Sequence, residues 1–197
     1  MRTRRALLLA LALAPTLGLQ AEDKAGDKAA RTVIVVRHAE KVDESKDPPL
    51  SAAGQARAEA LATALANARI DAVVTTQLQR TKLTAAPLVK SRSLTPIVVD
   101  ATADAKAHAK AVAAAVLARP AGEAILVVGH SNTVPAIVAA LGGPEGLAIC
   151  DHEYTSLFVL TIPASGPVRV IRGTFGAPDP PGTDGCRPAV PGPSQGR

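Results

Sequence analysis

Aromatic side chains are almost absent: the 197-residue chain has no tryptophan and only Tyr154, Phe158 and Phe175. Readers of single-stranded nucleic acid stack bases on aromatic platforms, so this composition argues against a nucleic-acid partner. Two cysteines are too few for a disulfide scaffold or a four-cysteine zinc site. The apolar run Ala6–Ala14 is too short to cross a bilayer. It follows Arg2, Arg4 and Arg5 and precedes Leu19-Gln20-Ala21, the pattern of a secretory signal peptide cut after Ala21. An uncleaved membrane anchor is the alternative. Excess charge is also scarce, because the net +5 falls to 19 basic against 17 acidic residues without those three arginines, so no polyanionic partner is implied. What the chain does have is 47% hydrophobic residues, mostly Ala, Val, Leu and Ile, enough for one real core.

The signal predicts a periplasmic or secreted protein with no stable membrane insertion after cleavage. In an oxidising compartment Cys150 and Cys186 have one possible pairing. Cys186 lies in the Pro- and Gly-rich segment 177–197, a tail that cannot pack by itself. A bridge would tether it, and closing 36 residues of chain is worth about 4 kcal/mol in the chain-entropy picture.

Beyond a polar linker over 22–31, two periodicities alternate. Val33-Ile-Val-Val36 continues Thr32 as an unbroken β-branched run, expected of a strand buried on both faces. Short apolar strands follow at 71–75, 96–100 and 124–129. Between them lie Ala-rich helices at 51–68 (with Ser51 as N-cap), 78–90 (kinked or stopped near Pro87), 104–119 and 133–141. Two strands, 156–162 and 168–172, close the pattern as an antiparallel hairpin. The alternation predicts a single α/β domain over 32–176, a three-layer sandwich with a mostly parallel central sheet and helices on both faces.

Ligands of such sheets bind beyond the carboxyl ends of the strands. There the sequence delivers Arg37-His38-Ala39-Glu40, then Thr75-Thr76 with Arg80, then Asp100 and Asp104, then Gly129-His130-Ser131-Asn132. Arginines in a cleft suit phosphate oxygens, and a helix starting near Ser131-Asn132-Thr133 adds unpaired N–H groups. Two histidines and two arginines, with no cysteine nucleophile and no HExxH spacing, point to metal-free phosphoryl transfer through a phosphohistidine.

Four blocks in order, Val35-Val-Arg37-His38-Ala-Glu40-Lys41, Pro49-Leu50-Ser51-x-x-Gly54-Gln55-x-Arg57-Ala58, Thr75-Thr76-x-Leu78-x-Arg80-Thr81-x-x-Thr84-Ala85 and Val128-Gly129-His130-Ser131-Asn132-Thr133, resemble the signatures of the histidine phosphatase superfamily, the phosphoglycerate-mutase-like fold. The resemblance implies that His38 is the nucleophile, that Arg37 and Arg80 grip the phosphate, and that His130 donates to the phosphoryl oxygens, with Ser131 and Asn132 also on the phosphate side. It implies no cofactor and a small phosphorylated substrate. The two histidines are expected to differ in pKa, His38 neutral and His130 protonated. Members often supply a carboxylate after the third strand to protonate the leaving group. Asp104 is the best positional candidate, Asp100 the second and Glu40 the third. The chain lacks the insertions of mutases and phytases, so mutase activity is not expected.

Two rival readings remain at this stage. Gly129-His-Ser131 resembles a nucleophile elbow, although Thr133 replaces its second glycine. The same pocket could also serve a binding or sensor module of low catalytic power. His108 reads as a surface or half-buried residue, His152 as a solvated loop residue or one facing the pocket mouth, Tyr154 as packing, and the charged loop 41–47 as either a solvated face or a lip of the site.

Overall fold

The computed structural model describes residues 29–181. The expected signal segment and its cut site, Cys186 and most of the expected tail lie outside these described residues.

Six strands form one sheet in the order β3-β2-β4-β1-β5-β6. β1 (Arg31–Arg37), β2 (Ala72–Thr75), β3 (Ile97–Val98) and β4 (Ala124–Gly129) run parallel. β5 (Ser156–Ile162) and β6 (Arg169–Thr174) add an antiparallel hairpin beside β1. The strand β1 shows why its sequence is an unbroken apolar run. Val33 and Val35 pack into one core with Val112, Val116, Ile137 and Phe158, while Ile34 and Val36 pack into another with Leu61, Leu88, Val73 and Phe175. The helices supplying those cores divide accordingly. α1 (Ala52–Ala64) and α2 (Gln79–Arg92) cover one face, and α3 (Ala105–Leu117) and α4 (Val134–Ala140) the other. The result is the three-layer α/β sandwich expected.

Several local features depart from expectation. β1 begins at Arg31, whose guanidinium donates to the carbonyls of Leu117 and Arg119, so the linker ends a residue sooner. β3 keeps two residues because only β2 pairs with it at the sheet edge. Pro87 does not stop α2, which runs on to Arg92. The carbonyl that its ring deprives of a donor belongs to Leu83, which is exposed and can be hydrated. The domain also reaches past residue 176: Arg57 donates to the carbonyls of Phe175 and Ala177, and Asp179 accepts from the N–H groups of Tyr154 and Thr155. The first residues of the expected tail are therefore part of the packed domain. Among the described residues no helix is long and apolar enough to cross a membrane.

Candidate active site

The carboxyl ends of β1 and β4 lie side by side, with Arg37 opposite Gly129 and the His38 N–H donating to the Gly129 carbonyl at 2.9 Å. This register puts the two histidines that follow these strands into one cavity of about 370 Å³. Its walls include Arg37, His38, Arg80, His130, Ser131 and Asn132 from the expected set, joined by Lys41, Glu44, Asp151 and Tyr154. The ring centroids of His38 and His130 are 5.3 Å apart.

Each side chain is held by identifiable contacts. The His38 Nδ1 lies 2.8 Å from the Ala39 carbonyl, which can only accept, so Nδ1 carries the proton and Nε2 keeps the lone pair. The Ala39 N–H in turn donates to Thr84 Oγ1, whose hydroxyl donates to the Arg80 carbonyl. Thr76 Oγ1 is 3.3 Å from His130 Nε2 and 3.0 Å from Thr81 Oγ1. The His130 N–H is received by Thr133 Oγ1 at 3.0 Å. The threonines of the sequence blocks thus anchor the residues around them.

Arg37 is buried and rigidly seated. Its Nη1 donates to the carbonyls of Cys150, Asp151 and Glu153 at 2.9, 2.8 and 3.0 Å, and the guanidinium stacks on the Tyr154 ring at 4.1 Å. The Nε groups of Arg37 and Arg80 are buried without a hydrogen-bond partner in the protein. Buried donors of this kind need an acceptor, and an oxyanion in the cavity beside them supplies one.

Electrostatics correct one expectation. Both histidines are driven down rather than apart: His38 to about 3 and His130 to about 4, first by burial and then by cationic neighbours, including Arg37 and Arg80 in each case. The two rings share one desolvated, positively charged environment, so both are neutral at ordinary pH.

The expected carboxylate is corrected as well. Asp104 does not line the cavity; it is the N-cap of α3, accepting from the N–H groups of Lys106 and Ala107 at 2.9 and 3.0 Å. Asp100 is exposed and also outside the cavity wall. Glu40 is bound two-pronged by Arg57, whose Nε and Nη2 reach it at 2.9 and 2.7 Å.

The remaining readings sort themselves by position. His108 is buried rather than exposed, with its Nδ1–H on the Asp100 carbonyl. His152 lines a different cleft beside Arg172 and Asp179. Lys41 and Glu44 bring the charged loop into the cavity wall, as a lip of the site would. Ser131 donates to Asp151 at 3.2 Å rather than to a histidine, so the serine-hydrolase arrangement is not formed. Tyr154 and Asp151 are the residues that sequence reasoning missed. Their only signal was Asp151-His-Glu-Tyr154 at the mouth of a strand, without the spacing of a motif. Among the described residues no group of three or more His, Cys, Asp or Glu side chains is placed to hold a metal ion.

Comparison with known proteins agrees with this fold. Residues 33–105 match the model of the histidine phosphatase superfamily (branch 1). No curated protein matches. Among solved structures, a protein of Agrobacterium tumefaciens assigned as the phosphohistidine phosphatase SixA is 22% identical, with a TM-score of 0.57, over 75% of this chain and 98% of its own. The protein histidine phosphatase SixA in complex with tungstate is 18% identical, with a TM-score of 0.55, over 73% and 96% of the two chains. YhfR of Bacillus stearothermophilus is 19% identical, with a TM-score of 0.57, over 76% and 96%. Over residues 33–105 the chain is thus similar to the histidine phosphatase superfamily, and its fold is that of these solved structures.

Proposed function

We propose that the protein is a metal-independent phosphatase that hydrolyses phosphomonoesters or phosphoramidates through a phosphohistidine on His38, acting in the periplasm or outside the cell after loss of its signal segment. The carrying observation is the His38 tautomer: Nδ1–H bound to the Ala39 carbonyl leaves Nε2 as the ring's lone pair, in a cavity with two arginines and a second histidine. Arg37 and Arg80 hold the phosphoryl oxygens and neutralise them, and fixed donors of this kind stabilise an in-line transfer without reorganising. A bound phosphate dianion opposes the cations that depress His130, favouring its protonated form as a donor to the same oxygens. A small, largely polar cavity suits a compact phosphorylated substrate. Similarity to relatives named for phosphohistidine and for a tungstate complex supports the same reading, since tungstate mimics phosphate.

The test is an aryl phosphate assay of the chain from residue 22 onward in excess chelator, beside His38→Ala, with trapping of acid-labile phosphoprotein. Turnover and a label on His38 are expected, both lost in the variant. Loss of turnover on chelation, or full activity in His38→Ala, would sink the proposal. Tight oxyanion binding with no turnover would leave the binding-module reading in its place.

A further inference from the structure

The geometry points to Asp151 as the proton-transfer carboxylate of the reaction, supplied by the loop between α4 and β5 rather than by the segment after β3; this rests on the phosphohistidine reading above. The three carboxylates that the sequence offers are committed or remote: Asp104 to capping α3, Glu40 to Arg57, and Asp100 to an exposed position outside the cavity wall. Two carboxylates do line the cavity, Glu44 and Asp151. Glu44 is ion-paired with Lys41 on a largely exposed side chain. Asp151 is solvent-exposed like Glu44 and Asp100, so exposure does not separate the three, but it lines the cavity and is fixed from two sides. Its main-chain carbonyl accepts from Arg37 Nη1 at 2.8 Å, and its Oδ1 accepts from Ser131 Oγ, the residue after His130, at 3.2 Å. The loop that seats the phosphate-binding arginine therefore also carries a carboxylate into the wall shared by both histidines.

The chemistry balances as two displacements. In the first, the His38 Nε2 lone pair forms an N–P bond while the P–O bond to the leaving group breaks. The Asp151 carboxyl proton passes to the departing oxygen. In the second, a water oxygen attacks phosphorus, Asp151 carboxylate takes the water proton, and the N–P bond breaks to return neutral His38 and inorganic phosphate. The same group acts as acid and then as base, so each cycle leaves it as it began.

Asp151→Asn separates this role from a structural one, because the bond to Arg37 is made by the main-chain carbonyl and survives the substitution. The measurement is kcat/KM for 4-nitrophenyl phosphate and for phenyl phosphate, whose poorer leaving group needs the proton more. The variant should hold the first within a few-fold and lose the second by about 100-fold, the scale of a missing general acid. With 4-nitrophenyl phosphate it should also show a stoichiometric burst followed by slow turnover, because the water step lacks its base. Ser131→Ala should shift the same ratio in the same direction by a smaller factor. Unchanged Ki for tungstate in Asp151→Asn is expected and certifies both the fold and the Arg37 seat. Equal losses on both substrates, a raised tungstate Ki or wild-type kinetics would each overturn the assignment. If wild-type protein forms no phospho-His38, the phosphatase reading fails and takes this inference with it; if it does and the substrate ratio stays put, only Asp151 is wrong.

Discussion

Arg37 and Arg80 belong to one cavity but are built into the protein differently, and that difference is measurable. Arg37 closes three main-chain carbonyls with one nitrogen, those of Cys150 and Glu153 buried and that of Asp151 part-buried, so Arg37→Ala removes the proposed phosphate ligand and also strands acceptors in the interior. An unmade buried hydrogen bond costs about 1–3 kcal/mol, so this variant should lose both oxyanion affinity and melting temperature. Arg80 is only part-buried, and burial alone leads the forces that lower its pKa. Arg80→Ala should weaken tungstate or phosphate inhibition by about 10- to 100-fold, the value of a charged hydrogen bond, with little change in melting temperature. Paired inhibition and thermal-unfolding measurements on the two variants check this; equal thermal losses would contradict it. The pH profile belongs to the same scale. Burial pushes His38 down to about 3, so the lone pair proposed as the nucleophile stays available as pH falls far below the ordinary histidine value of about 6.5. The acid limb of kcat/KM, which reports free enzyme, should carry no loss near pH 6.5 and should bend only below about 4. A profile that falls about fivefold between pH 6.5 and 5.5 would show His38 unperturbed.

Elements decide which of these residues could be read in advance. Arg37, His38, Arg80 and His130 follow strands or open helices whose apolar runs are plain in the sequence, and parallel strand ends bring them together by topology. Asp104 misled because an Asp before an Ala-rich helix satisfies two patterns at once, a residue after the third strand and an N-cap, and the cap is what the chain uses. Tyr154, Asp151 and Asp179 were not legible because contacts more than a hundred residues apart create the role of the loop they hold, as in Arg37 to the carbonyls of 150–153. That loop is itself pinned. Asp179 accepts from the N–H groups of Tyr154 at 2.7 Å and Thr155 at 3.1 Å, just where the Tyr154 ring supports Arg37. Asp179→Ala should therefore raise the tungstate Ki by roughly 3- to 10-fold, a supporting-contact effect, while Asp179→Asn, which keeps an acceptor, loses less. Inhibition constants are independent of the fraction of protein folded, so this readout separates positioning of Arg37 from mere loss of stability. An unchanged Ki in both variants would mean that the tail packs without supporting the site.

At the scale of the whole molecule, the site and the stability of the fold share the same two protons. His38 and His130 are buried and neutral in the folded chain, at about 3 and about 4, whereas an unfolded histidine titrates at about 6.5. Below 6.5 the unfolded chain takes up protons that the folded chain refuses, so stability falls as the solution is acidified. Between pH 6.5 and 5 each histidine removes about 2 kcal/mol, a cost that keeps growing until pH reaches the folded values. For a domain of this size the pair corresponds to a melting-temperature drop of the order of 10 °C across that window. Thermal unfolding from pH 7.5 to 4.5 measures the slope, and a His38→Asn, His130→Asn double variant should flatten it over the same range. An oxyanion that protonates His130 reverses the sign for that ring: tungstate should protect the wild-type fold at pH 5 and lose most of its effect in the double variant. Equal slopes in wild type and double variant would place the acid sensitivity in other groups and deny the two histidines their buried, neutral state.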